Sequence, residues 1–316
     1  MRDTPAHQTP TLPDPVLDRL ATPTDAATMD ELLASWFHAD VVTLCQPPRG
    51  WTAADLAKDF ALPGRLRGAW GQQLLRMASL PAQRGEPCPW SPPCPYDPLF
   101  RERPPRGGLE FPKPYTIAVD PGPDGTVALR LTLFGFATDW LENAAEAWTQ
   151  GLRNGVGMPD GLQAALEPID RRLTVREHLP QPAVPPAAIL RFVTPLNLRR
   201  GGVVHSDITS LFSSLSSRVC GMARWLDCAV TIDRDELRAR AASLSIDNGH
   251  LQMVSWQRWS RRQGNTPIQM DGLVGPMVIA GDLAPFWPLL LAGQSCHAGS
   301  HSAQGLGRYR LEPLGE

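Results

Sequence analysis

The sequence has no apolar run of the roughly 18 residues that a membrane-crossing helix requires. It is almost without lysine: of 30 basic residues only Lys58 and Lys113 are lysine, and the rest are arginine. It also lacks an excess of either charge, with a formal net charge of −2, which argues against indiscriminate electrostatic binding of nucleic acid. Cysteine is sparse and scattered, at positions 45, 88, 94, 220, 228 and 296. Cys88 and Cys94 share a proline-rich stretch, but their spacing matches no strong zinc pattern. Reduced, mostly buried thiols are therefore expected, with no metal or other cofactor. The opening residues Met1-Arg2-Asp3-Thr4-Pro5 have no apolar signal core, so a cytoplasmic protein without a membrane partner is the expectation.

What is present is unevenly placed. Residues 1–60 hold nine acids and four bases, whereas 61–110 hold four and seven. Residues 111–186 hold nine and six, and 187–316 hold ten and thirteen. Basic charge thus gathers in two segments, in a residue type whose planar fork suits phosphate and stacks on bases. A GC-rich coding sequence accounts for the excess of arginine better than for its clustering.

The length of 316 residues suits two domains. Residues 1–34 read as a flexible tail rich in Pro, Thr, Asp and Ala. Val41 to Cys45 reads as a strand, and Gly64 to Met77 as a helix with Leu66, Trp70, Leu74 and Met77 on one face. A proline-rich loop fills 80–114. Tyr115 to Val119 and Thr126 to Phe134 are strands joined by a Pro-Gly-Pro-Asp-Gly turn, followed by an amphipathic helix over 138–154 and a strand over 162–172. That order is a split βαβ unit. A stiff linker, Pro180 to Pro186, follows, and then the order repeats: strand 189–198, helix 208–226, paired strands 251–262 and 269–279, helix 283–291 and strand 308–313. The expectation is an α+β protein of two tandem ferredoxin-like (βαββαβ) domains, residues 35–179 and 187–316, joined by residues 180–186.

Two stretches carry candidate chemistry. The first is the turn His297-Ala298-Gly299-Ser300-His301-Ser302-Ala303-Gln304-Gly305-Leu306-Gly307-Arg308. Glycines bring backbone N–H groups close to an anion, so this turn is either a phosphate cradle or a plain connection between helix and strand. The second is Arg258-Trp259-Ser260-Arg261-Arg262, which on a strand puts Arg258 and Arg262 on one face and Arg261 on the other. Trp256 either stacks a base or packs in the core.

Four stretches make the chain resemble the RAMP superfamily, and within it the CRISPR-associated endoribonucleases that process precursor crRNA. They are Leu66-Arg67-Gly68-Ala69-Trp70-Gly71; Cys94 to Phe100; Phe192-Val193-Thr194-Pro195-Leu196 with Ser217-Arg218 at the end of the next helix; and Gly272 to Gly275 followed by the turn from His297 to Tyr309. The family's H-x-G-K lysine is Ser300 here, and the threonine two residues on is Ser302. The resemblance implies binding of CRISPR repeat RNA or crRNA, metal-independent cleavage, and partners among the other subunits of an effector complex.

RNA supplies its own nucleophile, the 2′-hydroxyl, so the protein has only to move protons and stabilise the charge on phosphorus. The candidates for those tasks are His38, Arg67, His205 and His297. Candidates for contact with RNA are Arg65, Arg199, Arg200, Arg258, Arg261, Arg262, Gly299, His301, Gly305, Gly307 and Arg308. An arginine-centred site stabilises charge better than it accepts protons, so slow cleavage is expected, or binding without cleavage.

Overall fold

The computed structural model describes residues 13–106, 110–260 and 266–315. Residues 13–34, expected within a flexible tail, instead form two capped helices, α1 (Pro15–Ala21) and α2 (Met29–Ala34). Asp14 caps α1, and a Thr28–Glu31 capping box opens α2. Val16, Leu20, Leu32 and Leu33 are buried, and that apolar gain holds the segment down. Asp14 also pairs with the buried Arg101.

The first domain runs β1 (His38–Cys45), α3 (Leu62–Arg76), β2 (Tyr115–Pro121), β3 (Val127–Phe134), α4 (Leu141–Arg153) and β4 (Pro168–Arg176). Its sheet has the order β2-β3-β1-β4, antiparallel throughout. Helices α3 and α4 cover one face. Trp70 stands at their junction, edge-on to Phe100, Tyr115 and Trp148, and its Nε1 donates to Ala144 O at 3.0 Å. Leu66, Trp70 and Leu74 are buried as the spacing implies; Met77 follows the last turn of α3 and is 39% exposed.

The proline-rich stretch is an ordered arm rather than an irregular loop. It holds short helices at Leu80–Gln83 and Tyr96–Phe100. Asp97, buried at its centre, accepts from the Cys88 N–H at 2.6 Å and pairs with Arg101 and Arg103. The Cys94 N–H donates to Cys88 Sγ at 3.2 Å.

The second domain repeats the order with additions. It runs β5 (Ala187–Leu196), a small hairpin of β6 (Arg199–Arg200) and β7 (Val203–Val204), α5 (Ile208–Ala223), α6 (Arg234–Ala241), β8 (Ser245–Asp247), β9 (Gln252–Ser260), β10 (Thr266–Ala280), α7 (Trp287–Cys296) and β11 (Tyr309–Leu314). The order across the sheet is β8-β10-β5-β11, and β9 continues along the β10 edge that β8 begins. With β8 and β9 taken as one interrupted strand, both sheets place their strands as second, third, first, fourth. This is the tandem ferredoxin-like architecture. The domains meet along the β2 edge, where the Trp225 Nε1 donates to Pro112 O at 2.9 Å and Phe60 meets Trp256 edge-on at 5.9 Å.

Candidate nucleic-acid interface

The turn from His297 to Arg308 is an interdomain clasp rather than an open cradle. Gly305 and Gly307 have φ of +84° and +69° and are buried. A Cβ on Gly305 would stand 2.7 Å from Ile117 O of β2, and one on Gly307 would overlap the Ala298 carbonyl. The glycines are therefore needed for close approach of protein to protein, and this corrects their assignment to RNA contact. A Cβ on Gly299 would likewise stand 2.9 Å from Asn197 O, though this glycine is only half-buried. Arg308 Nη1 donates to Asp120 Oδ1 at 2.8 Å across the domains, so its charge is already engaged.

His297 is 3% exposed, in an interior that disfavours its charged form. Burial first, then the nearby Arg308 and Arg218 cations, hold its pKa well below the ordinary histidine value. The enclosed ring is packed within the protein, which speaks against its assignment to proton transfer. His38 meets a similar end. It is 5% exposed beside Phe134, its pKa lowered by burial, with Asp40 opposing and Arg176 and Arg130 assisting. It is a packed boundary histidine, not a site residue. Arg67 is half-buried, its Nε donating to Tyr115 Oη at 2.7 Å while the guanidinium lies 4.8 Å from the centre of the Phe100 ring. Arg65 pairs with Asp59 at the start of α3.

The remaining candidates converge. His301, at φ +62°, keeps a lowered pKa through burial and then through the cations Arg258 and Arg199. Arg258 of β9 and Arg199 of the β6–β7 hairpin are thus near enough to this turn for their charge to act on the ring. Trp256 shares the face of Arg258 and packs on Phe60 rather than lying free. Arg261 and Arg262 lie outside the described residues. Beyond Arg199 the surface drops into a cavity of about 500 Å³, lined by Arg199, Arg200, His205, Ser210, Ser213 and Arg238, among others, with Ser300 at its rim. No carboxylate lines it.

His205 is fixed at the mouth of α5. Its Nδ1 accepts the Asp207 N–H at 3.3 Å, which leaves the proton of the neutral ring on Nε2. Asp207 caps α5 by accepting from the Ser210 N–H at 2.9 Å and the Ser210 hydroxyl at 2.6 Å. Burial resists ionisation of its carboxyl, but hydrogen bonds from Ser210 and Thr209 and the charge of Arg200 bring it down to about 2. Arg200 Nη2 also donates to Ser210 Oγ at 2.9 Å.

Two features escaped the sequence reading. Arg238, on α6, donates from Nε to Ser213 Oγ at 3.1 Å. Its signal lies in the partner helix, where Ser210, Ser213, Ser214 and Ser217 recur at helical spacing in an otherwise apolar segment. Arg218, noted only for its place in a motif, is a half-buried cation whose Nε donates to Cys296 O at 2.6 Å. Among the described residues no group of three or more His, Cys, Asp or Glu is placed to hold a metal ion, and no helix is long and apolar enough to cross a membrane.

The family described as CRISPR-associated endoribonuclease Cas6 matches residues 190–309, the domain that carries the cationic face and the cavity. The chain resembles the Cas6 endoribonucleases. A second family model, described as an N-terminal domain, matches residues 62–183. The Cas6 match begins in β5 and ends at Tyr309, so it takes in Arg199, Arg200, His205, Arg258 and the whole clasp. Among solved structures, the CRISPR endoribonuclease Cse3 bound to a 19-nucleotide RNA is 16% identical, over 87% of this chain and 100% of that one, with a TM-score of 0.31. No curated protein matches the chain.

Proposed function

We propose that this protein is an endoribonuclease that cuts CRISPR repeat RNA without a catalytic metal, leaving 5′-hydroxyl and 2′,3′-cyclic phosphate ends. The observation that carries the reading is the cluster of Arg199, Arg200, Arg238 and His205 around one cavity, on the very domain that the Cas6 family model matches. The 2′-hydroxyl attacks the neighbouring phosphorus and loses its proton to solvent water; negative charge builds on the phosphoryl oxygens, the bond to the 5′-oxygen breaks, and that oxygen takes a proton from water to leave as a hydroxyl. His205 donates from Nε2 toward that charge, and Arg199 and Arg200 offer guanidinium forks beside it. Held in this orientation, His205 supplies a hydrogen rather than accepting one, so the site stabilises charge better than it removes the 2′ proton. Slow, near single-turnover cleavage follows.

A second reading is a RAMP-type subunit that binds RNA without cutting it. The burial of His38 and His297 favours it, because it leaves half-buried His205 as the one accessible histidine among the four catalytic candidates. Incubating the full chain with its cognate repeat RNA in EDTA separates the two. A 5′-hydroxyl product lost in His205→Ala supports the nuclease; tight binding with intact RNA supports the subunit. No salt-sensitive RNA affinity at all would overturn both. Association with other effector subunits belongs to the same proposal, and co-purification with the product RNA attached would test it.

A further inference from the structure

The cavity beside α5 has a lining that the tandem fold by itself does not require. Where the first domain has the proline-rich arm with its two short helices between first helix and second strand, the second has helix α6, which brings Arg238 to the cavity wall. Three guanidinium groups thus border one space, Arg199 and Arg200 from β6 and Arg238 from α6. Their acidic neighbours, Asp271, Asp207 and Asp235, hold Arg199, Arg200 and Arg238 from outside the lining. Between the cations stand the hydroxyls of Ser210 and Ser213, each accepting from an arginine; Ser210 gives its own hydrogen to the Asp207 cap, whereas Ser213 can donate onward. The Nε2–H of His205 completes the set. The arginine forks, the Ser213 hydroxyl and the His205 ring can each present a hydrogen, and no lining side chain is a carboxylate. A space of about 500 Å³ so equipped matches a phosphate group with its sugar, not an apolar or cationic ligand.

We propose that this cavity seats a single phosphate group of the bound RNA strand, gripped by Arg200, Arg238, Ser213 and His205, while the rest of the strand crosses Arg199 toward His301 and Arg258. The seat rests on the reading of the chain as an RNA-binding protein for its occupant, but not for its chemistry. It adds Arg238, on an element the repeat does not contain, as a phosphate-contacting residue, and it gives the strand a fixed register on the second domain.

The test uses the full chain and inorganic phosphate as the probe. The Hε1 signal of His205, assigned with His205→Asn, is followed by NMR at constant ionic strength and pH 7.5. A saturable shift is expected at His205, with the exposed His178 and His250 unmoved, and Arg238→Gln should weaken the apparent affinity at least fivefold. In parallel, RNA affinity is measured against salt. Arg238→Gln should lower the slope of log K on log salt by about 0.7, the loss of one phosphate contact with a single strand. Arg153→Gln, exposed on α4, should leave the slope alone, and thermal unfolding checks that both variants are folded. A non-saturable shift shared by all histidines, or RNA affinity and slope unchanged in Arg238→Gln, would overturn the seat while leaving the nuclease reading intact. Saturable phosphate binding in a protein with no RNA affinity would instead overturn that reading and retain the phosphate seat.

Discussion

Arg308 and Asp120 are joined across the two domains, Nη1 to Oδ1 at 2.8 Å, on a residue that sequence reasoning had offered to RNA. Both side chains are largely shielded, so the pair is worth more than an exposed one. Arg308→Ala is expected to lower the unfolding free energy by about 1–3 kcal/mol. Its RNA affinity should hold the same salt dependence as the unmodified protein. Denaturant unfolding and a salt titration of binding check the two halves of that statement.

Gly307→Ala should be far more damaging. Its φ of +69° disfavours a side chain, and the new Cβ would overlap the Ala298 carbonyl in a backbone that is itself hydrogen-bonded, Ala298 N to Gly307 O at 2.9 Å. A loss above about 3 kcal/mol, or insoluble protein, is expected. Gly299→Ala, half-buried, provides the milder comparison. The midpoint of thermal unfolding ranks them.

The buried histidines make stability pH-dependent. His297 and His38 both have folded pKa values below the ordinary 6.5, so the folded state prefers the neutral ring. Between the folded and unfolded pKa values the unfolded chain binds more protons. Stability is thus complete above about pH 6.5 and is lost as the pH falls, by up to about 1.4 kcal/mol per pH unit for each such group. His297→Asn, compared with itself at the two pH values so that its overall change in stability cancels, should flatten the difference in unfolding free energy between pH 7.5 and 5.5.

Arg199→Ala and Arg258→Ala should each weaken RNA binding about five- to twentyfold at low salt, and less at high salt. Neither arginine is buried in the core, so unfolding should change by under about 1 kcal/mol. Fluorescence anisotropy at two salt concentrations reads the first effect. If the affinities match those of Arg308→Ala, the cationic face is not the RNA surface.

The duplicated fold was legible because its signals are local and periodic. Leu66, Trp70 and Leu74 mark one buried face, and the Pro-Gly-Pro-Asp-Gly turn marks a hairpin. Alternation and helical spacing record burial on one side of an element, which is set largely by residues within a turn or two. The capped helix α1 was missed because a short amphipathic segment rich in Pro, Thr and Asp resembles a disordered tail until it finds a core to cover. Asp14 meets Arg101, and Leu20 and Leu32 reach the interior, only once 80 and more intervening residues have folded.

The composition and order of residues determined that there are two βαββαβ units and that arginine would supply the cationic chemistry. Which arginines and histidines are free to do so was decided only in three dimensions. Gly305, Gly307, His297 and Arg308 have the composition of an anion site, but the approach of β2 and α3 turns them inward as a clasp. Arg238 has the appearance of an ordinary helix-surface charge, yet the packing of α6 on α5 delivers it to the cavity wall. A side chain's charge belongs to the sequence; its exposure and its neighbours depend on contacts between segments far apart in the chain, which no local pattern encodes.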